Sequence, residues 1–185
     1  MRSAPAAPTW NLLVTSIEGQ RDALRAELMR LARFRRGGYP NVLVSTVDDP
    51  VRFIDTLGET YATSDRLRAA LGKAIPIDRT LRLEDPAGFL GAVTAALDPF
   101  VERLLGATFF VRICRRGHRG TIDSTGAERE LGARLVDALQ RRGESPHVRF
   151  TDPDVVVLIE TLRDEVGIAL IDRALRTRHA FVRAR

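Results

Sequence analysis

The sequence predicts an α/β (α+β) protein whose N-terminal unit is a ferredoxin-like domain. Stretches with strand composition alternate along the chain with stretches whose apolar residues recur every three or four positions. One stretch, Val155–Leu162, is almost continuously apolar, which is typical of a strand covered on both faces. The alternation restarts near Lys73, so we divide the chain into a first unit over residues 10–72 and a second unit over residues 73–185.

The first unit is predicted to alternate strand, helix, strand and helix. Residues 1–9 are rich in alanine and proline and are expected to be disordered. Trp10–Ser16 and Val42–Val47 are rich in strand-forming residues, and a helix with leucines one turn apart lies between them. Asp49 followed by proline is a helix-start signal, which predicts a helix over Val51–Tyr61. This order is half or more of a ferredoxin-like unit.

The second unit is predicted to begin with two short extended segments, Ile75–Ile77 and Thr80–Leu83, and to continue with two consecutive helices, further strands and another helix. Aspartate-proline pairs at Asp85 and again at Asp98 are helix-start signals. An apolar strand begins at Phe109. Gly132 lies in a later amphipathic helix, where we expect it to allow close packing against the sheet. Val166–Ile171 follows a charged turn as the hairpin partner of the continuously apolar strand.

A run of cationic side chains follows the strand at Phe109. The loop Arg115-Arg116-Gly117-His118-Arg119-Gly120 places arginines beside two glycines. Glycines let the backbone approach a ligand closely, and arginines pair with phosphates. The loop is therefore predicted either to bind an anionic ligand or to be a solvated turn between a strand and a helix.

Ser124 and Thr125 stand just before the amphipathic helix of the second unit. Thr125 and Glu128 have the spacing of a capping box, which predicts that they satisfy the first backbone N–H groups of that helix. The same end of a helix is also a place where a phosphate can bind. The sequence leaves both roles open for this pair of hydroxyl side chains.

The ordered set of these features resembles the THUMP domain, an RNA-binding module of tRNA-modification proteins. The family's pattern is an apolar strand running into a basic turn, a serine-bearing loop, a helix with Leu-Gly, a Pro-Asp pair and a valine-rich strand ending in glutamate. These features are met here by Phe109–Arg112, Arg115–Gly117, Ser124, Leu131-Gly132, Pro153-Asp154 and Val155–Glu160. One departure is Val148–Asp154, which stands where the family has V-D-L followed by N-P-D.

The resemblance implies a THUMP domain with a mixed sheet and helices over residues 73–185, preceded by the ferredoxin-like domain that accompanies THUMP in many such proteins. Within the family, the architecture is similar to the stand-alone THUMP adaptor of tRNA cytidine acetylation. The resemblance further implies a non-catalytic protein that binds the acceptor stem and the single-stranded 3′ end of tRNA and presents it to a separate tRNA-modifying enzyme. No catalytic residue, cofactor or metal is predicted.

The residues expected to contact RNA are cationic or lie at the helix start. The planar guanidinium of arginine suits phosphate contacts. Aromatic residues make up only 6% of the chain, so shape and charge are expected to outweigh base stacking. The predicted RNA-binding residues are Arg112, Arg115, Arg116, His118, Arg119, Ser124, Thr125 and Arg142.

Charge and composition favour an anionic partner and argue against several other functions. The net charge is +5, and residues 107–185 carry 15 basic against 11 acidic side chains. One cysteine, Cys114, leaves no pairing for a disulfide, and the three histidines lack metal-ligand spacing. The sequence has no glycine-rich motif for a nucleotide or dinucleotide. It also shows no signal peptide and no apolar run of membrane-spanning length, so no membrane partner and a cytoplasmic location are expected.

Two alternatives from other functional classes stay open. The tail from Arg173 onward carries five arginines and no acidic residue, which fits a protein-interaction subunit whose basic tail binds an acidic partner. This tail is expected to be either a short helix or an arm that orders on binding. The other alternative is a small hydrolase or thiol enzyme that uses Ser124 or Cys114, and the arginines beside Cys114 would then lower the pKa of its thiol.

Overall fold

The computed structural model describes residues 9–118 and 120–184, whose strands form two sheets. The first sheet contains β1 (Leu12–Ser16), β2 (Arg35–Arg36), β3 (Val42–Ser45) and β4 (Leu71–Pro76). The second contains β5 (Arg79–Arg82), β6 (Thr108–Cys114), β7 (His147–Val148), β8 (Val155–Leu162) and β9 (Glu165–Asp172). The helices are α1 (Arg21–Leu28), α2 (Pro50–Thr63), α3 (Asp65–Ala70), α4 (Phe89–Leu97), α5 (Ser124–Gln140) and α6 (Arg173–Arg178), and short 3-10 segments at Pro86–Gly88 and Asp98–Leu104 flank α4. No helix in this part of the chain is long and apolar enough to cross a membrane.

The first sheet has the strand order β2-β3-β1-β4, and all its strand pairs are antiparallel. The chain runs through it as strand, helix, two strands, a helical segment and a strand, which is the order of a ferredoxin-like unit. The sequence analysis missed β2 because two residues are too few to show an alternating pattern. Since β4 pairs with β1, the first sheet extends to Pro76. The division that we drew between residues 72 and 73 falls inside this strand.

The strands and helices predicted for the first unit are present. The side chain of Asp49 accepts a hydrogen bond from the backbone N–H of Arg52 (3.0 Å) and caps α2, as the sequence signal predicts. Leu24, Leu28 and Ile54 turn inward from α1 and α2 and are fully buried. Residues 1–8, for which disorder is predicted, lie outside the described part of the chain.

β8 lies in the middle of the second sheet, whose order is β5-β9-β8-β6-β7. The sheet is mixed, because β6 pairs in parallel with β7 and β8 whereas β9 pairs antiparallel with β5 and β8. Val156 and Leu158 of β8 belong to the core that includes the first unit, and Val157 and Ile159 belong to the core beneath α4 and α5. The continuously apolar sequence of β8 therefore reflects burial on both faces, as predicted.

Gly132 does not mediate close packing of α5 against the sheet, contrary to the expectation from the sequence. A Cβ at this position would meet no described atom within 4 Å. The buried face of α5 is formed by Leu131, Leu135 and Ala138 with their neighbours, as the periodicity predicts. The missing side chain of Gly132 leaves open space beside the helix.

Trp10 joins the two sheets. Its side chain is fully buried at the start of the first sheet, and its indole ring lies against Gly167 of β9. A Cβ at position 167 would lie 2.8 Å from Cζ3 of Trp10, which is closer than real contacts allow. One continuous apolar cluster, which includes Trp10, contains residues of both units. The two units therefore share a hydrophobic core.

The chain after α6 returns to the first unit. Of the two forms considered for the tail, the short helix is present as α6, and Phe181 and Val182 beyond it are buried. The carbonyl of Phe181 accepts a hydrogen bond from the N–H of Ala74 in β4 (3.1 Å). Asp55 of α2 lies 2.7 Å from Nε2 of His179, and this hydrogen bond lowers the pKa of the Asp55 carboxyl. The tail is therefore packed as part of the fold.

Candidate nucleic-acid interface

The basic loop after β6 is fixed to the end of β8 and to the first unit. The backbone N–H of Arg116 donates a hydrogen bond to the hydroxyl of Thr161 (2.8 Å), and this hydroxyl donates to the carbonyl of Arg116 (3.2 Å). Gly117 has a φ of 89°, and a Cβ there would lie 2.6 Å from the hydroxyl oxygen of Tyr39. Glycine is therefore required where the loop passes the first unit.

Glu160 of β8 is fully buried and has two cationic partners. Nζ of Lys73, on β4, lies 2.7 Å from its Oε1, and the guanidinium of Arg116 pairs with its Oε2. Because a buried carboxylate without partners is costly, this arrangement holds the basic loop in place relative to both sheets. Arg116, which is predicted to contact RNA, is thus engaged inside the protein, and only 19% of its side chain is exposed.

Cys114 lies beside this ion pair. Nζ of Lys73 lies 3.5 Å from its Sγ, and the thiol donates a hydrogen bond to the carbonyl of Ala184 (3.4 Å). Burial raises the pKa of the Cys114 thiol, and the negative charge of Glu160 raises it further. The lowered thiol pKa that the thiol-enzyme alternative requires is not found, because these two effects outweigh the nearby cations Lys73 and Arg116. The thiol is protonated at neutral pH, which disfavours a role as nucleophile.

Three arginines and one histidine lie where the basic loop, the turn between β8 and β9, and β2 come together. They are Arg35, Arg115, His118 and Arg163, and we call them the junction basic surface. Nε2 of His118 forms a hydrogen bond with the carbonyl of Arg163, and the exposed side chain of Arg163 lies against Gly38 of the first unit. Arg35 is exposed and lies 3.7 Å from the carboxylate of Glu165. The surface therefore includes cations from both units.

The other predicted arginines have different surroundings. Arg112 lies over the ring of Phe110, with Cζ 5.7 Å from the ring centroid, and its guanidinium is 3.5 Å from Glu128. Arg142 follows the C-terminal end of α5 and donates to a backbone carbonyl of that helix (2.9 Å). Since α5 has 17 residues, its two ends are about 25 Å apart, and Arg142 is not brought together with the basic loop. Arg119 lies outside the described residues.

α5 does not begin with the capping box that the sequence predicts. Its N-cap is Asp123, whose carboxylate accepts a hydrogen bond from the N–H of Thr125 (3.1 Å). Glu128 instead accepts a hydrogen bond from the backbone N–H of Ile113 in β6 (2.8 Å), so the capping-box prediction is wrong. Ser124 is half-buried and Thr125 exposed in the first turn. The carboxylate of Asp123 already satisfies one of the N–H groups that a phosphate would use at this helix end.

A groove of about 420 Å³ lies between α5 and the edge of β6. β7 pairs only with Thr108 and Phe109, so it covers just the first part of that edge, and Gly132 presents no side chain to the groove. Phe150 follows β7, packs against Phe110 with ring centroids 5.8 Å apart, and is 75% exposed. The sequence analysis did not select this aromatic residue. The sequence feature that could have indicated Phe150 is its position in Val148–Asp154, the stretch that departs from the V-D-L pattern of the THUMP family.

The acidic residues before β8 have structural contacts. Oδ2 of Asp154 accepts hydrogen bonds from the hydroxyl (2.6 Å) and the N–H (2.8 Å) of Thr108, and these bonds lower the pKa of the Asp154 carboxyl. Arg173 lies 3.1 Å from both Asp152 and Asp154. Across residues 9–118 and 120–184, no three His, Cys, Asp or Glu side chains are grouped as metal ligands would be.

Comparison with known proteins identifies part of this architecture. The family model of the THUMP domain matches residues 92–171, which run from α4 into β9. PH1313 from Pyrococcus horikoshii Ot3 has a TM-score of 0.57 and 12% identity, and the match covers 88% of this chain and 54% of that one. TrmN from Thermus thermophilus has a TM-score of 0.55 and 25% identity, with 86% and 44% covered. A 4-thiouridine synthetase, solved in complex with RNA and ATP, has a TM-score of 0.55 and 17% identity, with 88% and 41% covered. The chain spans about half the length of these structures or less, and no curated protein matches its sequence.

Proposed function

Because the chain contains a THUMP domain within residues 92–171, we propose that it binds tRNA at the acceptor stem and single-stranded 3′ end and presents it to a separate tRNA-modifying enzyme. The THUMP domain supports a role for RNA binding in tRNA modification, and one structural neighbour, the 4-thiouridine synthetase, carries bound RNA. The observation that carries the proposal is the junction basic surface, where cations from both units lie together.

The junction basic surface suits the phosphates of an RNA stem. Arg35 belongs to the first unit, whereas Arg115 and Arg163 belong to the second, so one RNA backbone that crosses the junction can contact both units. The shared hydrophobic core keeps the two units in a fixed relation. Cations that are already in position lose less conformational entropy when they bind phosphate. In this proposal Arg116 supports the loop through Glu160, and Arg115 makes the phosphate contact.

The proposal assigns the modification chemistry to another protein. The raised pKa of Cys114 argues against a thiol enzyme, because the thiolate is the reactive form. Ser124 lies in the first turn of α5, directly after the Asp123 carboxylate that caps this helix. The carboxylate beside Ser124 thus has a structural role as the helix cap, and we propose an adaptor and not a hydrolase.

The alternative of a basic tail that binds an acidic partner has less support. The tail arginines make contacts within the protein. These contacts join Arg173 to Asp152 and Asp154, Arg176 to the carbonyl of Pro153, Arg178 to Asp55, and Arg183 to the carbonyl of Gly72. An acidic partner would have to displace these internal contacts, which include ion pairs of 2.9–3.1 Å with carboxylates, whereas RNA at the junction basic surface would compete with the longer 3.7 Å pair of Arg35 with Glu165.

Replacing Arg115 and Arg163 together by alanine is expected to weaken tRNA binding on the order of tenfold at physiological salt. Each arginine that contacts a phosphate releases counterions on binding. Its removal therefore lowers the slope of log affinity against log salt concentration by about one unit. Fluorescence anisotropy with labelled tRNA across a salt series measures both the affinity and the slope.

A charge-matched control is available in Arg30→Ala combined with Arg134→Ala. Both arginines are exposed and pair with a carboxylate three or four residues away, so their loss changes the net charge equally without touching the junction. We expect this variant to keep nearly the wild-type affinity and salt slope. If both double variants lose affinity to the same extent, binding depends on net charge alone and the junction basic surface is not the binding site.

A further inference from the structure

The groove between α5 and β6 is open because β7 is short and because residue 132 of α5 is a glycine. β7 ends at Val148, so the edge of β6 beyond Phe109 has no strand beside it. Gly132 contributes no side chain, and Val136 lines the adjoining surface of α5. At about 420 Å³, the groove falls within the range of roughly 300–1,000 Å³ that is typical of small-ligand sites. It has room for a planar group of the size of a nucleobase.

Phe150 gives this groove an exposed aromatic face. Its ring rests on Phe110 at an interplanar angle of 45°, and 75% of the residue remains exposed. Arg112 lies over the same supporting ring of Phe110. An exposed ring that is held from behind by a second ring presents a fixed surface on which a base can stack.

Cationic and polar groups surround the aromatic face. Arg129 lines the groove, Arg149 directly precedes Phe150, and both arginines are exposed. Thr125 and the carboxylates of Glu128 and Asp137 also line the groove, and the carboxylates can accept hydrogen bonds from the N–H groups at the edge of a base. A planar base with N–H groups on its edge matches the aromatic face and the acceptors inside the groove, whereas the flanking phosphates match the arginines Arg129 and Arg149.

A protein strand added to the edge of β6 fits the groove less well. Strand addition requires free backbone groups along the edge of the sheet. The carboxylate of Glu128 already accepts a hydrogen bond from the N–H of Ile113 on β6 (2.8 Å). An incoming strand would have to displace this side chain, whereas a stacked base requires only the face of Phe150.

We propose that the groove is a subsite for one unpaired nucleobase of the bound RNA, which stacks on Phe150 while Arg129 and Arg149 contact the flanking phosphates. The inference rests on the proposed RNA-binding function and adds to it the place in the fold, the groove beside Phe150, where an unpaired base is bound. The junction basic surface can bind phosphates of any RNA. The groove accepts a base only when that base is free of pairing.

Phe150→Ala tests this subsite with two RNA hairpins that differ in one respect. One hairpin ends blunt, and the other has a single-stranded 3′ extension that contains 2-aminopurine, a base whose fluorescence is quenched by stacking. We expect roughly 5- to 150-fold weaker binding to the extended hairpin and loss of the quenching, because one stacking contact disappears. Binding to the blunt hairpin should not change. Phe150→Tyr should restore both signals, since the ring is retained.

A second variant blocks the groove from the opposite side. Leucine is a better helix former than glycine, so Gly132→Leu should preserve α5 while its side chain fills the open space. Gly132→Ala is the matched control, because its Cβ would meet no described atom within 4 Å. The leucine variant should lose the preference for the extended hairpin, and the alanine variant should keep it.

The outcomes separate this inference from the proposed function. If Phe150→Ala and Gly132→Leu both keep the wild-type preference for the extended hairpin, the base subsite is overturned and the groove becomes a candidate for a protein segment. If the wild-type protein binds neither hairpin, the proposed RNA-binding function fails, and the subsite fails with it.

Discussion

Glu160→Ala is expected to lower the free energy of unfolding by about 3–5 kcal/mol. Glu160 is fully buried and is the partner of both Lys73 and Arg116. The side chain of Lys73 is itself only 8% exposed. Alanine at this position leaves two cations next to each other without a counter-charge in a place that is largely closed to water. Urea denaturation followed by circular dichroism measures the loss, provided that the m-value stays constant.

Glu130→Ala is the matched control for this prediction. Glu130 also pairs with an arginine, Arg134, but both side chains are exposed on α5. Exposed ion pairs contribute little, so we expect a loss below about 1 kcal/mol. Similar losses for Glu160→Ala and Glu130→Ala would contradict the view that the buried pair holds the basic loop between the two sheets.

Trp10→Ala is expected to lower the free energy of unfolding by about 3–5 kcal/mol as well. The indole ring is fully buried between the two sheets, so its removal leaves a cavity in the core that both units share. The same urea experiment applies. Ile17→Ala is a suitable control, because Ile17 is an exposed apolar residue and its truncation should cost about 0.5 kcal/mol or less.

A double-mutant cycle tests the contact behind this prediction. Gly167→Ala alone should be destabilising by about 1–3 kcal/mol, because its Cβ would overlap the indole ring of Trp10. In the Trp10→Ala background the added methyl group has space, and most of this cost should disappear. Additive losses in the double variant would mean that Trp10 and Gly167 do not determine how the two sheets meet.

The main elements of the fold were predictable because the number of buried faces of a strand or helix determines the spacing of its apolar residues. β8 is covered on both faces and is therefore continuously apolar, whereas α5 carries its buried residues at helical spacing. β2 has two exposed residues and no such pattern. The membership of β4 in the first sheet depends on its pairing with β1, which is a contact distant in sequence that a local pattern does not encode.

The candidate site was predictable in part. The basic loop was recognisable because cationic side chains follow an apolar strand directly. A glutamate at the end of an apolar strand, such as Glu160, needs a cationic partner if it is buried, most simply an arginine, but local sequence does not show that the partners are Arg116 and Lys73. Asp123 and Thr125 are both acceptable N-cap residues and lie two positions apart. Local spacing alone does not show that Asp123 is the N-cap of α5 and that Glu128 accepts a hydrogen bond from β6. The exposure of Phe150 arises from the early end of β7 and from Gly132, which are features of tertiary structure.

The central proposal is that this chain, whose residues 92–171 match the family model of the THUMP domain, binds tRNA at the acceptor stem and single-stranded 3′ end of the RNA. The most direct measurement is fluorescence anisotropy of the wild-type protein with two otherwise identical tRNAs, one intact and one trimmed of its single-stranded 3′ end, across a salt series. We predict clearly tighter binding of the intact tRNA, with a preference that persists at physiological salt. Equally weak binding of both tRNAs that disappears as salt rises would contradict the claim and would leave the junction basic surface as a charged surface without a specific RNA partner.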